Sequence, residues 1–249
     1  MNSTRTWESL LPKSRGTLPN GNPMPRTDPS GSLDAKVFFL GAYPAATAIE
    51  RVMVDGTAMM LPTAVETESF ASGSKSGQEL DSHYLKPLRL ERRDVLITDM
   101  VPYFFANTTE SGSGRSMADN IARYEKHANR STGIETRPLP ADLVKLARDL
   151  PGNLDRLGDY LRRCSPKLLF TLGAEAAAFV RSEDHDAVAT RVDELFYAPP
   201  AALDVLGVRV EVVHMVHPHL FIKKNAKWMT RHRAWCDEAG SKLVRSIQG

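Results

Sequence analysis

Three side chains that can donate or accept protons occupy similar positions in three widely separated segments of this 249-residue sequence. Tyr43 lies in a Gly-Ala-Tyr-Pro segment, Asp99 ends an apolar run, and His217 begins a His-Pro-His segment. A tyrosine with an ordinary pKa of about 10 is a poor general base at pH 7, but it can hold a water molecule by hydrogen bonding. An ionised aspartate accepts hydrogen bonds and cannot donate them. Brought together, the three groups would form one polar site.

The elements that would position these residues are apolar runs that predict buried strands. Four such runs occur, at residues 37–40, 95–98, 167–172 and 208–215. Patterns of helical periodicity occur at residues 78–86, 117–129, 141–150, 153–164, 174–181 and 225–247. This alternation predicts a single-domain α/β fold with a central, mostly parallel four-stranded sheet flanked by helices. Ligands of such sheets bind at the carboxyl ends of the strands, so we predict the site at this edge.

Composition excludes several classes of protein. The net charge is +2 and the isoelectric point about 8.5, so the chain is not polybasic, although a local basic face is compatible with these values. Cys164 and Cys236 are the only cysteines, too few for a four-cysteine iron–sulfur cluster or zinc site, and we predict no metal and no cofactor. The low cysteine count, the lack of an apolar run near ~18 residues and the lack of a signal-peptide pattern predict a cytoplasmic protein without membrane attachment.

Two segments have no clear periodicity. Residues 1–33 are rich in serine, threonine, proline, glycine and asparagine, and they are predicted to form a flexible or surface-draped arm that precedes the α/β domain at 34–249. Residues 47–77 are rich in small residues and are predicted to form a long loop near the site. Long loops inside compact domains are usually functional.

The ordered set of motifs resembles the uracil-DNA glycosylase superfamily. Its members carry a Gly-x-x-Pro turn after the first core strand, an asparagine at the end of a middle strand, a Leu-Gly pair before a helix and a His-Pro turn near the C-terminus. The corresponding motifs here begin at Gly41, Leu172 and His217, and Asp99 replaces the asparagine. The resemblance spans residues 36–235, and it implies the α/β fold of that superfamily. It also implies a monofunctional DNA glycosylase that flips a base out of double-stranded DNA and hydrolyses its N-glycosidic bond, with no obligatory protein partner.

The resemblance also implies roles for individual residues. His217 would stabilise the negative charge that develops on pyrimidine O2 as the bond breaks, and Tyr43 and Asp99 complete the predicted catalytic set. Phe70 would stack on the flipped base, and Leu220 or Phe221 would enter the duplex in its place. The predicted base pocket consists of Gly41, Ala42, Pro44, Ala45 and Phe70. The predicted DNA contacts are His219, Leu220, Phe221, Lys223 and Lys224.

Two departures from the family pattern indicate the substrate. An ionised Asp99 would accept a hydrogen bond from the N4 amino group of cytosine, as acidic side chains do in DNA grooves. In the uracil-specific branch a bulky aromatic residue after the proline blocks the pyrimidine C5 position, and Ala45 would leave that position open. A C5-modified cytosine would fit both changes, because its N4 amino group could donate to Asp99 and its C5 substituent could occupy the space beside Ala45. Glucosylated hydroxymethylcytosine occurs in some phage genomes, and the chain resembles an anti-phage branch that excises such bases.

The sequence leaves the water-activating group and the function open in part. The family usually places Asp, Asn or Glu in the turn occupied here by Ala42 and Tyr43, and Asp55, Glu66 or Glu68 could substitute. Repair of uracil or damaged bases is one alternative function. Another is a non-catalytic binder of modified bases, which the missing carboxylate favours. A third is a small-molecule α/β enzyme, because fold alone does not fix function.

Overall fold

The computed structural model describes residues 11–109 and 115–248, so the first ten residues of the predicted arm lie outside it. Twelve strands occur in the described residues: β1 (Ser14–Thr17), β2 (Pro23–Pro25), β3 (Ser30–Gly31), β4 (Val37–Gly41), β5 (Ala46–Val54), β6 (Thr57–Val65), β7 (Val95–Asp99), β8 (Phe105–Ala106), β9 (Glu135–Thr136), β10 (Leu168–Leu172), β11 (Ala201–Val205) and β12 (Val208–Met215). The α-helices are α1 (Lys75–Leu80), α2 (Lys86–Leu88), α3 (Met117–Ala128), α4 (Pro140–Asp149), α5 (Asn153–Cys164), α6 (Ala174–Arg181), α7 (His185–Ala189), α8 (Val192–Leu195), α9 (His219–Ile222), α10 (Ala226–Trp235) and α11 (Ser241–Gln248).

The central sheet has the strand order β11-β12-β10-β4-β7-β3. Its four inner strands are parallel, which confirms the single-domain α/β fold and the four predicted strands. Every residue of β4, β7 and β10 is buried, because helices cover both faces of a parallel sheet. Two antiparallel edge strands, β3 and β11, extend the sheet to six strands. They are short and carry no continuous apolar run, so the sequence did not predict them.

The predicted helices are present with small shifts at their ends. The helix predicted at 78–86 is longer, because α1 and α2 are joined by a π-helical turn, Asp81–Leu85. It ends where Arg89 adopts a left-handed conformation with φ of 58°. The predicted C-terminal helix is likewise continuous through α10, a second π-helical turn (Cys236–Gly240) and α11.

The predicted long loop at 47–77 is wrong over most of its length, because β5 and β6 form an antiparallel hairpin. Its turn is Asp55-Gly56, with φ of 48° and 73°, the conformation that an Asp-Gly hairpin turn favours. The inner face of the hairpin contributes Met59 and Leu61 to a second apolar cluster, which also contains Ile121 of α3. The two strands mix small, polar and apolar residues, so the sequence did not predict them.

The described part of the predicted flexible arm, residues 11–33, packs against the domain. Leu11, Leu18 and Met24 are buried, and β3 joins the main sheet through pairing with β7. The hydroxyl group of Tyr103 donates a hydrogen bond to the carbonyl oxygen of Pro12 at 2.8 Å. The composition of the segment predicted an arm without a core of its own. Its few apolar residues instead fill the gaps beneath the hairpin and beside the sheet.

Candidate active site

A cavity of about 540 Å³ opens at the carboxyl ends of the parallel strands, where the sequence predicted the site. Gly41 at the end of β4 lies beside Asp99 at the end of β7 in the parallel register. His217 follows the end of β12 by two residues. The cavity volume falls within the range of about 300–1,000 Å³ that is usual for ligand pockets.

The cavity wall contains most of the residues predicted for the site, together with several that were not predicted. The predicted residues in the wall are Ala42, Tyr43, Pro44, Ala45, Phe70, His217, His219, Leu220 and Lys223. Glu66, one of the three acidic candidates for water activation, also lies in the wall. The wall residues that were not predicted include Arg137, Glu175, Phe104 and Phe105. Gly41, Asp99, Phe221 and Lys224 do not form part of the wall.

Gly41 is required because two side chains approach its backbone closely. A Cβ atom placed there would lie 2.4 Å from the Phe70 ring and 2.5 Å from Oδ1 of Asp99, well inside van der Waals contact. The side chains of Phe70 and Asp99 therefore both pack against Gly41 at the end of β4. Phe70 lines the cavity, and Asp99 lies behind it. Phe70 itself has φ of 51°, a strained value for a residue that is not glycine.

Asp99 is almost completely buried, with 1% of its surface exposed. Among the described residues neither carboxyl oxygen has a hydrogen-bond partner of ordinary geometry, although the nearby Ser69 hydroxyl acts as a donor that lowers the pKa. Burial dominates and, with the negative charge of Glu66, raises the pKa of Asp99 to about 7. The predicted contact to cytosine was argued for an ionised Asp99, whereas a pKa of about 7 means that the protonated form must also be considered near neutral pH.

A buried arginine, which the sequence analysis did not identify, holds the strand end that carries Asp99. The Nη2 atom of Arg156 donates to the carbonyl oxygen of Asp99 at 2.8 Å, and its Nη1 atom donates to Oγ1 of Thr98 at 3.2 Å. Asn153 accepts a third hydrogen bond at 3.0 Å from Nε of Arg156. Burial lowers the pKa of Arg156 to about 10, so it remains charged at pH 7. The sequence signal for a buried polar contact was Arg156 on the inner face of α5, where the other buried residues after Asn153 carry no charge.

His217 presents a neutral imidazole with a defined tautomer. The residue is partly exposed at the cavity surface, but burial of the ring lowers its pKa to about 3, and the positive charges of His219 and Arg137 act in the same direction. The backbone N–H of His219 donates to Nδ1 of His217 at 3.1 Å. Since Nδ1 accepts this bond, the hydrogen of the neutral ring lies on Nε2. The Nε2–H group is a donor for an oxygen that gains negative charge.

Two buried tyrosines fix the residue that precedes His217. The hydroxyl group of Tyr84 donates to the carbonyl oxygen of Val216, and the backbone N–H of Val216 donates to the hydroxyl oxygen of Tyr197 at 3.4 Å. His232 lies 3.0 Å from that same hydroxyl group through Nδ1. This buried network links the His-Pro turn to α10 and to the helix that contains Tyr84. Its members are scattered along the sequence and could not be recognised there.

Tyr43 lines the cavity as a neutral side chain. Burial raises the pKa of its hydroxyl group more strongly than Arg137 lowers it. Its ring packs edge-on against Phe105 with centroids 5.7 Å apart, and the Arg137 guanidinium lies 5.4 Å from the ring centre. Nη2 of Arg137 also contacts Oε1 of Glu175 at 3.1 Å. A neutral tyrosine is a poor general base, and its hydroxyl group can hold a water molecule by hydrogen bonding.

The three acidic candidates for water activation have different surroundings. Asp55 lies at the tip of the β5–β6 hairpin, where it contacts His127 at 2.7 Å. Glu68 is exposed. Glu66 has only 3% of its surface exposed, and its side chain forms part of the cavity wall. Glu66 is thus the member of the three that reaches the site.

The segment after His217 corrects one predicted DNA contact. Phe221 has 4% of its surface exposed and stacks on His83 with ring centroids 4.4 Å apart. Because this ring fills the core, it is not free to enter a DNA duplex. Leu220 is partly exposed and lies in the cavity wall, and Lys223 and Lys224 are exposed beside it.

A second depression, of about 470 Å³, surrounds Asp81, Arg89 and Arg92 and contains none of the predicted site residues. Arg92 is already engaged there, because it contacts Asp81 at 2.9 Å and donates to the carbonyl oxygen of Phe70 at 2.7 Å. We assign the chemistry to the first cavity, whose wall contains both His217 and Glu66.

Within the described ranges no group of three or more His, Cys, Asp or Glu residues could hold a metal ion. None of the described helices is long and apolar enough to cross a membrane.

A parallel α/β sheet with a polar cavity at the carboxyl ends of its strands is typical of ligand-binding α/β domains. The family model described as the uracil DNA glycosylase superfamily matches residues 29–238. The match covers well over half of the chain, and the protein belongs to this superfamily of DNA glycosylases. A comparison with curated proteins found no match.

Proposed function

We propose that the protein is a monofunctional DNA glycosylase that hydrolyses the N-glycosidic bond of a base flipped into the cavity. The observation that carries this proposal is the neutral His217, with Nδ1 occupied by a backbone N–H and Nε2–H left as a donor at the cavity wall. Such a donor stabilises the charge that a departing pyrimidine gathers on O2. Among the described residues Lys223 is the one lysine in the cavity wall, and we propose simple hydrolysis in preference to a Schiff-base mechanism. Lys223 in the wall is assigned instead to a DNA phosphate.

We further propose that the substrate is a C5-modified cytosine of the kind found in phage DNA, excised in the cytoplasm. Ala45 and Ala46 in the cavity wall support an open space beside C5. The carboxyl group of Asp99 supports recognition of cytosine. When ionised it accepts from the N4 amino group, and when protonated it also donates to N3. Uracil O4 can accept a hydrogen bond only from the protonated form, because O4 repels a carboxylate.

Base entry in this proposal requires a movement of Phe70. Its ring lies 5.6 Å from that of His217 between centroids and touches the same spot as Asp99. This arrangement leaves no room for a base between the two rings. A shift of Phe70 would let it stack on the base and would open the path to Asp99. The strained φ of Phe70 supports such a change, because strained residues are common at sites that rearrange.

The decisive experiment is mass spectrometry of free bases released from DNA that contains uracil, thymine, cytosine, or glucosylated hydroxymethylcytosine. We expect release of the modified cytosine and an abasic site that breaks only after alkali or heat. Preferential release of uracil would favour the repair alternative. Salt-dependent DNA binding without any released base would favour the non-catalytic binder instead.

A further inference from the structure

We propose that Glu66, supplied by the end of the β5–β6 hairpin, is the general base that activates the attacking water. The inference rests on the proposed glycosylase function. It would place in the hairpin a role that the family gives to the Gly-x-x-Pro turn, where this chain carries Ala42 and Tyr43.

Glu66 is joined directly to that turn. Its Oε2 atom accepts a hydrogen bond from the backbone N–H of Ala45 at 2.8 Å, and its own backbone N–H donates to the carbonyl oxygen of Ala45 at 3.0 Å. Oγ1 of Thr27 donates to the carbonyl oxygen of Glu66 at 3.0 Å. The carboxyl group is therefore fixed beside Ala45, the residue that follows Pro44, within the turn to which the family gives the water-activating role.

One oxygen of this carboxyl group remains to bind a water molecule. Oε1 of Glu66 is buried and has no partner of ordinary geometry among the described residues, although the nearby Ser74 hydroxyl group acts as a donor that lowers the pKa of the carboxyl group. A buried acceptor without a partner costs free energy, and a water molecule held between Oε1 and the substrate would satisfy it. Glu66 lies in the cavity wall with this oxygen covered, so the shift of Phe70 proposed above would have to expose Oε1 for such a water to face the substrate.

The other acidic groups at the cavity are less suited to this role. Glu175 contacts Arg137 at 3.1 Å, which ties its carboxylate to a positive charge. Asp99 lies behind Phe70 and Gly41, at the strand end assigned to the base. Asp55 is at the far end of the hairpin, and Glu68 is exposed on the outside of the domain.

The electrostatic surroundings are consistent with a base that acts near neutral pH. Burial raises the pKa of Glu66, while the Ser74 hydroxyl group, the Ala45 amide and Arg92 lower it in part. A raised pKa makes a carboxylate a stronger base. Burial and, to a smaller extent, the negative charge of Glu66 raise the pKa of Asp99.

The reaction then balances as a hydrolysis. The bond between sugar C1′ and base N1 breaks, and its electron pair leaves with N1 while Nε2–H of His217 stabilises charge on O2. The water oxygen forms the new bond to C1′, and Glu66 takes one proton from that water. The released base anion gains a proton from solvent, and Glu66 returns its proton to solvent.

The test is the single-turnover rate of the Glu66→Gln variant on an oligonucleotide with one glucosylated hydroxymethylcytosine. Glutamine keeps the size and the oxygen that accepts from Ala45, but it cannot take a proton. We expect the rate to fall by about 10²–10⁴-fold, with unchanged affinity for the oligonucleotide. The acidic limb of the pH–rate profile should disappear. Glu68→Gln is the matched control and should retain the wild-type rate and profile.

A second variant keeps the inference testable if glutamine disturbs the fold. Glu66→Ala leaves a space for a small carboxylate, and added formate should restore part of the rate in that variant alone. A folded Glu66→Gln variant with the wild-type rate and acidic limb would overturn the inference and leave the glycosylase function intact. A wild-type protein that releases no base from any DNA in the panel would overturn both.

Discussion

Burial has opposite effects on the pKa values of the two groups that were predicted to contact the base, Asp99 and His217. It raises the pKa of Asp99 to about 7 and lowers that of His217 to about 3. In both cases burial disfavours the charged form. Around pH 7 the site therefore offers a neutral donor for O2 and a carboxyl group that exists in both protonation states. Residue type alone predicted the positions, whereas the charge states depend on packing that the sequence does not reveal.

Replacement of His217 by alanine should lower the single-turnover rate of base release by about 10²–10³-fold, the usual loss for one preorganised donor. The melting temperature should change little, because the side chain lies at the cavity surface. His127→Ala is the control, since this exposed histidine lies outside the cavity wall. A wild-type rate for His217→Ala would rule out the assignment of His217.

Discrimination by Asp99 should depend on pH. As the pH rises through about 7 the carboxyl group loses its proton, so activity on uracil should fall relative to activity on cytosine-type bases. Asp99→Asn should remove this dependence and shift preference toward uracil by about 5- to 150-fold, equivalent to about 1–3 kcal/mol. Rate ratios for the two bases at pH 6 and pH 8 provide the measurement. A ratio that stays constant in the wild type would argue against direct contact with Asp99.

At the scale of elements, the parallel strands were predictable because buried strands of such sheets are continuous apolar runs. The β5–β6 hairpin was not predicted, since its strands alternate small, polar and apolar residues and its Asp55-Gly56 turn was the main signal. This omission had a chemical consequence. The sequence alone offered no reason to prefer Glu66 over Asp55 or Glu68. The hairpin places Glu66 at the cavity and Asp55 in its turn.

The short helix α9 after the His-Pro turn allows a paired test of the predicted wedge. Leu220→Ala should slow excision from duplex DNA much more than excision from single strands, because a single strand has no stack to refill. Phe221→Ala should instead lower the melting temperature, because its ring is buried against His83 and Tyr84.

The two variants should therefore separate function from stability. Rates on matched duplex and single-stranded oligonucleotides, together with thermal unfolding curves, measure the two effects. If Leu220→Ala slowed both substrates equally, Leu220 would not be the wedge. An unchanged melting temperature for Phe221→Ala would contradict its place in the core.

Over the whole molecule, the buried apolar residues include part of the N-terminal segment that was predicted to lie outside the core. Composition predicted an arm that ends at residue 33, yet Leu18 and Met24 belong to the cluster beneath the hairpin. Compositional bias indicates that a segment has no core of its own. It does not indicate that another element offers a surface on which a few apolar residues can pack.

The buried histidines predict that acid destabilises the fold. Burial lowers the pKa values of His214 and His232 to about 4 and that of His217 to about 3. Each is neutral when folded and gains a proton on unfolding as the pH falls below about 6.5, so stability is lost in this range. The raised pKa values of Asp99 and Glu66 act oppositely, because the folded state binds those protons.

The net effect should be a loss of stability as the pH falls from 6.5 to 5, because three histidines gain a proton on unfolding and two carboxyl groups oppose this effect. Urea unfolding at pH 7.5, 6.0 and 5.0 measures it. A free energy of unfolding that is constant or increases toward pH 5 would mean that these histidines are not neutral in the folded protein.

The central claim is tested most directly by free-base release from two oligonucleotides, one with glucosylated hydroxymethylcytosine and one with cytosine, by the wild type and by Ala45→Tyr. The account predicts that the wild type releases the modified base in preference to cytosine. It also predicts that Ala45→Tyr loses the modified base while keeping its residual activity on cytosine, since a ring at this position fills the space beside C5. If Ala45→Tyr released the modified base at the wild-type rate, or if the wild type released neither base, the account would be contradicted.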